Sequence, residues 1–311
     1  AIFFSVQNLN AQKVKCNFCK EEIVGEYIVV DGLAFHKDHF KCANCNRQIS
    51  GKYYSKDGKY YDEKCYSEKF MPKCSVCGEP ISGEYLTDSF GMKIHKYHQS
   101  ELITCDNCNR VISQKTTNGG VEYSDGRNIC NICFSDRVTS ESDYRNSLNR
   151  VISRLRNYGL YYDKNTISIK SVNLNELQKV SGNEYSKNIK GFTFSKIEIL
   201  GIEKTFTHTI YVLSKIPREY LESTIAHELM HVWITENINH KLTSQLEEGS
   251  CNYISYTFLK AENSTNASDI IKQLKENPDK IYGEGYRKVY ERFVGRDFKQ
   301  FLDYLKKNNS I

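Results

Sequence analysis

The spacing of hydrophobic residues changes along this chain. Between residue 12 and about residue 137 the apolar stretches are short and alternating, as in Glu26-Tyr-Ile-Val-Val30 and Lys52-Tyr-Tyr-Ser55, which predicts small β-hairpins. From Val138 to about Gly159, Tyr144, Leu148, Val151, Ile152 and Leu155 recur at three- and four-residue steps and predict a helix. Runs at 166–170, 192–200 and 207–213 predict strands, the first and last rich in β-branched residues. Pro217 is a favoured first helical residue and opens a helix expected to end before Asn239. Further helices are expected at 244–261, 268–275 and 284–308. The fold class is therefore α+β: small β-rich modules first, then a small sheet with helices gathered on it.

Length and charge narrow this picture only slightly. The 311 residues suffice for two or three domains. No run of about 18 apolar residues occurs, so no transmembrane helix is expected. The net charge of +5 is mild, Lys and Arg are mixed with Glu and Asp, and no basic helix follows the last cysteine pair. A nucleic-acid partner is accordingly not expected. Residues 1–11 end an apolar stretch on a small residue and read as a signal-peptide remnant with cleavage after Ala11. That reading places the chain in a secreted or periplasmic setting, with a cytoplasmic location as the alternative.

Cysteine spacing changes the picture much more. Of 12 cysteines, 11 lie between Cys16 and Cys133, mostly as Cys-x-x-Cys pairs interleaved with His-x-x-His pairs. Zinc calls for histidines at matching spacing, whereas a disulfide framework does not. The first set comprises Cys16, Cys19, His36 and His39, then Cys42, Cys45, Asp62 and Cys65. The second comprises Cys74, Cys77, His95 and His98, then Cys105, Cys108, Cys130 and Cys133. Each quartet matches the closed tetrahedral set of a structural zinc, so four structural zincs are expected. Cys16-Asn-Phe-Cys19 through Gly25-Glu-Tyr27 repeats as Cys74-Ser-Val-Cys77 through Gly83-Glu-Tyr85, which divides the region into modules at 12–70 and 71–137 near Phe70-Met71-Pro72. Six residues separate His98 from Cys105, where two separate His39 from Cys42, so the last quartet is set off from its neighbour. The arrangement resembles LIM domains, closely at 16–65 and more loosely at 74–133, with Phe35, Phe40 and Tyr66 as the aromatics between knuckles. The resemblance implies modules that bind a protein partner.

A second kind of metal chemistry stands at His227-Glu228-Leu229-Met230-His231. Residues four apart share a helix face, so His227 and His231 can hold one zinc ion, and Glu228, about 100° round the helix, can serve a water beside it as general base. Apolar Leu221, Ile225, Leu229, Val232 and Trp233 place this helix in a core. A third ligand is needed, from a His or a carboxylate. Leu246-Glu247-Glu248-Gly249 resembles the second helix of gluzincins, whose liganding Glu commonly precedes a Gly. That similarity assigns Glu248 as the ligand, with Glu247 as the alternative or as a carboxylate orienting a histidine. In zincins an edge strand beside this helix pairs with the substrate backbone, a role expected here of residues 207–213. His208 reads as a solvent-near strand histidine rather than a catalytic one. Tyr282, Tyr286 and Tyr290 are candidate oxyanion donors, and Cys251 reads as a small core residue.

Taken together, Ala226-His-Glu-Leu-Met-His-Val-Trp233, Glu247-Glu-Gly249 and Tyr282-Gly-Glu-Gly-Tyr-Arg287 resemble the plant LIM-domain peptidases that limit organ size and are switched on by ubiquitin, with their bacterial relatives. The resemblance implies a zincin-like metallopeptidase domain at 138–311, a latent zinc endopeptidase acting on protein or peptide substrates. It implies one catalytic zinc on His227, His231 and Glu248 or Glu247, with Glu228 as base. Plant members carry ubiquitin-interacting helices ahead of the LIM region. Fifteen residues precede Cys16 here, so ubiquitin control is not carried over as an expectation. The competing expectation is a catalytically silent scaffold whose LIM modules bind partners.

Overall fold

The computed structural model describes residues 5–7, 14–88, 90–182, 189–262 and 264–311, with backbone alone at 5–7. Most of the segment read as a signal remnant, residues 1–4 and 8–11, lies outside the described residues. The chain divides into two compact units, Ala1–Leu102 and Ile103–Ile311. The division falls inside the span expected as the second zinc module.

Unit 1 is built from hairpins and cysteine knuckles. Strands β1 (Ser5–Gln7), β2 (Tyr27–Val30) and β3 (Leu33–His36) form an antiparallel sheet. Two hairpins follow, β4 (Tyr53–Lys56) with β5 (Lys59–Asp62), and β6 (Tyr85–Thr87) with β7 (Lys93–His95), with helix α1 (Glu63–Phe70) between them. A small core of Ile23, Ile28, Phe35, Phe40, Ile49 and Tyr53 lies between the knuckles, where Phe35 and Phe40 meet at 5.6 Å.

Four knuckles, three in unit 1 and one in unit 2, share one backbone device. The residue after the second cysteine of each pair (Lys20, Asn46, Gly78, Asn109) has a left-handed φ of 59–84°. Its N–H donates back to the carbonyl of the first cysteine at 2.8 Å. The left-handed residue reverses the chain, so that both sulfurs face the same point.

Unit 2 begins with the fourth knuckle: short helix α2 (Gln114–Thr117), hairpin β8 (Gly120–Glu122) with β9 (Asn128–Cys130), and α3 (Asn131–Ser135). Helix α4 (Glu141–Leu155), strand β10 (Ile167–Val172) and helix α5 (Leu174–Ser181) come next. Strands β11 (Gly191–Leu200) and β12 (Glu203–Leu213) complete a sheet of order β10-β12-β11, with β10 parallel and β11 antiparallel to β12. Helix α6 (Arg218–Asn237) packs on β11 and β12, and α7 (Ser244–Leu259) packs on α6. Helices α8 (Thr265–Glu276), α9 (Tyr282–Phe293) and α10 (Phe298–Lys307) close the unit. Helix α6 is buried on most sides, including Leu221, Ile225, Leu229, Val232 and Trp233, as expected of a helix at the centre of a core. Among the described residues no helix is long and apolar enough to cross a membrane.

Three expectations change here. The helix expected at 284–308 is two helices, broken where Gly295 takes a φ of +77°. Helix α5 was not expected, because Leu174 and Leu177 are its only buried residues and give too little period to read. The strand at 207–213, expected at the sheet edge, is part of the central strand β12, and β11 is the edge beside α6.

Candidate metal centres and active site

Helix α6 carries His227 and His231 one turn apart, with ring centroids 5.2 Å from each other. Helix α7 begins at the Thr243 N-cap, whose side chain accepts from Leu246 N, and its first turns face them. Gly249 lets α7 approach α9: a Cβ at this position would run into the backbone of Gly285. This contact sets the phase of the acidic pair. Nε2 of His227 lies 3.2 Å and Nε2 of His231 3.7 Å from one oxygen, Glu248 Oε2. Glu247 takes the other side of His231, its Oε1 3.2 Å from Nδ1.

Asn252, to which the sequence alone assigns no role, completes this geometry. Its Nδ2 donates to Tyr282 O at 3.0 Å, which turns Oδ1 toward His227 Nδ1, also at 3.0 Å. His227 therefore donates from Nδ1 and presents the Nε2 lone pair to the cluster. Asn252 lies one helical turn beyond Glu248, and that spacing could have signalled it. Burial acts to raise the Glu248 carboxyl, but His227 and His231 outweigh it and hold it well below the usual carboxylate range. Burial acts to lower His231, but Cys251, Glu247 and Glu248 outweigh it and hold it well above the usual imidazole value. Donor atoms of His227, His231, Glu248 and Cys251 all lie within 4.8 Å of one another. Two imidazole nitrogens and a carboxylate oxygen gathered this closely fit a zinc-sized cation. Burial pushes the Cys251 thiol up to about 12, although His231 pulls against it.

Glu228 is buried beneath the edge strand. Thr193 Oγ1 of β11 donates to Glu228 Oε2 at 2.8 Å, and Gly191 leaves room for the carboxylate: a Cβ there would stand 2.6 Å from Oε1. Neither Thr193 nor Gly191 was singled out from the sequence, because the partner of α6 depends on strand order. Of the three tyrosines proposed as oxyanion donors, Tyr286 and Tyr290 belong to an aromatic cluster with Tyr256. Tyr282 is half-exposed, and burial together with the Glu248 charge pushes its phenol up to about 12. His208, read as solvent-near, is fully buried because its strand is central.

The four other quartets are Cys16-Cys19-His36-His39, Cys42-Cys45-Asp62-Cys65, Cys74-Cys77-His95-His98 and Cys105-Cys108-Cys130-Cys133, each with donors within 4.8 Å. All 12 cysteines are free thiols. Burial acts to raise Cys16, but the Cys19 and His36 backbone N–H groups and His39 hold it at about 6; Cys74 is held at about 6 against burial by the Cys77, His95 and Val76 backbone N–H groups and the Cys77 thiol. Asp62 is held at about 2: burial opposes this, and the Cys65 N–H and neighbouring thiols prevail. Its Oδ1 also caps α1 by accepting from Cys65 N at 2.7 Å. Cys16 and Cys74, lowered in this way and close to their partner donors, suit their two quartets to zinc.

The fourth knuckle belongs to the unit 2 core. Its four cysteines are buried in one cluster with α4, α6 and α7 residues. Arg110 pairs with Asp269 of α8, Gln273 Nε2 donates to Cys108 O at 3.3 Å, and Lys190 Nζ donates to Asn107 O at 3.1 Å. Buried Asp125 and Arg127, 2.8 Å apart, reach Leu174 N and Ser214 O.

These features define a protein with LIM-type zinc knuckles followed by a mixed α/β unit with a His/Glu cluster. A LIM-domain family model matches residues 16–70, and a family model described as Protein DA1 matches residues 168–272. The chain is similar to Protein DA1 of Arabidopsis thaliana, 23% identical over 93% of this chain and 61% of the relative. It is also similar to Protein DA1-related 2 of the same plant, 25% identical over 83% of this chain and 55% of the relative. Paxillin-B of Dictyostelium discoideum is 36% identical over 38% of this chain and 20% of that protein. The chain thus spans about 55–61% of the length of these plant relatives.

Proposed function

We propose that the α/β unit is a zinc-dependent endopeptidase and that the LIM-type knuckles bind protein partners or regulate access. The observation that carries this reading is the convergence of His227 Nε2 and His231 Nε2 on Glu248 Oε2, with Glu228 buried next to His227 on the same helix. In this reading His227, His231 and Glu248 hold the zinc, and four further zincs fill the quartets. A bound zinc supplies Lewis acidity to a water and to the substrate carbonyl. Glu228 takes the proton from the attacking water and returns it to the leaving nitrogen. Thr193 holds that carboxylate through its hydroxyl donation. Asn252 and Glu247 orient the two imidazoles. Among the described residues β11 is an edge strand beside α6, and in this reading its outer N–H and C=O groups pair with an extended substrate while Tyr282 donates to developing negative charge.

The deciding experiment is cleavage of a mixed peptide library by the full chain and by Glu228→Gln. Cleavage lost in the variant, with fold and metal retained, supports the mechanism, and an unaltered rate rejects it. The similarity to Paxillin-B favours a second reading, a LIM interaction scaffold without catalysis. About four zincs per chain, unchanged in His227→Ala, would favour the scaffold over the about five that the peptidase reading expects.

A further inference from the structure

His208 is fully buried, yet it stands outside the metal cluster and the chemistry proposed for it. It lies on central strand β12 directly opposite Ser195 of edge strand β11. Its Nδ1 is 2.8 Å from Ser195 Oγ, and its Nε2 is 3.2 Å from Glu236 Oε1 near the end of α6. A carboxylate only accepts, so Nε2–H donates to Glu236 and Nδ1 meets the Ser195 hydroxyl. Phe206 lies nearly parallel to the ring at 6.2 Å.

A buried imidazole between sheet and helix is costly unless both nitrogens are paired, and here both are. The pairings join three elements. Thr193 fastens β11 to α6 at Glu228. Two residues further along the strand, Ser195 fastens it again through His208 to Glu236, two turns further along the helix. Beyond Ser195 every residue to Leu200 is exposed, including Ile197, Ile199 and Leu200. Among the described residues Ser195 is therefore the last point of β11 tied to α6, while backbone pairing with β12 continues to Leu200.

We propose that His208 is a positioning residue that ties the middle of β11 to α6 at Ser195 and so sets a preference for extended substrates lying along that strand. The substrate side of this proposal rests on the peptidase reading, but the clamp itself does not. The experiment compares the full chain with Ser195→Ala, His208→Ala, Glu236→Ala and Glu236→Gln. Ser195→Ala removes one bond from a half-exposed side chain and carries the test if His208→Ala fails to fold. Amide hydrogen exchange is followed at 191–200. Hydrolysis is measured on a reduced, carboxymethylated protein chain and on a hexapeptide spanning one of its cut sites.

Exchange in β11 should rise roughly tenfold in Ser195→Ala and His208→Ala while α7 keeps its protection. KM for the long chain should rise roughly tenfold with kcat held within about twofold, and hexapeptide hydrolysis should be unchanged. Glu236→Gln keeps an acceptor for the ring and should match the wild type, whereas Glu236→Ala should resemble His208→Ala. Unchanged β11 exchange overturns the clamp. An equal loss on long and short substrates overturns the positioning role. If the wild type cleaves neither substrate, the peptidase reading and the substrate preference fall together, and the exchange result alone decides whether the clamp exists.

Discussion

Gly191→Ala tests the placement of Glu228 without touching any proposed metal donor. At this first residue of β11 an added Cβ would stand 2.6 Å from Glu228 Oε1 and 2.5 Å from Thr224 Cγ2. Carbon contacts are comfortable near 3.5 Å, so about 1 Å must be found. Neither neighbour yields easily. Thr224 Oγ1 donates to Tyr220 O at 2.9 Å, and Glu228 is held by Thr193 at 2.8 Å. Either the strand lifts or the carboxylate moves by much of an ångström. Overpacking of this kind costs about 1–3 kcal/mol of stability, which for a unit of this size lowers Tm by roughly 2–12 °C. A misplacement near 1 Å at a reacting group costs about 100-fold in rate, equivalent to about 2.7 kcal/mol in the barrier. The assay is steady-state peptide hydrolysis alongside thermal melting and zinc analysis. The expected outcome is kcat/KM reduced about 100-fold with zinc content unchanged. A variant within about threefold of wild type, folded and loaded, would refute the claim that the edge strand sets the position of Glu228.

Further perturbations address the metal sites. Asn252→Ala removes the acceptor that holds His227 Nδ1 and should weaken zinc at the α6 site about 10–100-fold in chelator competition, and a shift below about threefold would count against that role. Cys251→Ser should leave zinc content and activity within about twofold, since His227, His231 and Glu248 already supply the three protein donors of an open site; loss of the α6 zinc would instead make the sulfur a ligand. Cys105→Ser should lower the unit 2 melting transition by roughly 4 kcal/mol or more, because its knuckle is buried in that core, while Cys74→Ser should leave that transition in place by differential scanning calorimetry. Asp62 has a carboxyl lowered from 3.8 to about 2, so it stabilises the fold fully above 3.8 and loses that contribution as pH falls through about 2. Acid unfolding followed by tyrosine fluorescence should therefore flatten in this window in Asp62→Asn, and an unchanged profile would contradict the assignment.

What could be read from the sequence, and what could not, follows from the range of the interactions. The His227–His231 pairing is a property of one helix, and the knuckles depend on turns of a few residues, so spacing alone places both sets of donors. The choice between Glu247 and Glu248 depends on the phase of α7, which the Gly249–Gly285 approach fixes across two helices and no local pattern encodes. Strand order is non-local in the same way. Ile210, Val212 and Leu213 are buried because β10 and β11 flank them, and β-branched richness in 207–213 signals a strand without saying which neighbours it has. The Thr193–Glu228 contact and the burial of His208 follow from the same strand order and are equally invisible to local pattern. The wider spacing from His98 to Cys105 did signal a break, but only the packing of Cys105, Cys108, Cys130 and Cys133 against α6 and α8 explains why that quartet belongs with the second unit. A knuckle at the surface stabilises only its own turns. One with Tyr220 and Gln273 against it, and with Lys190 reaching from the residue before Gly191, also braces the start of the strand that covers Glu228. Contiguous packed residues within a single unit thus join that knuckle to the start of the strand over Glu228.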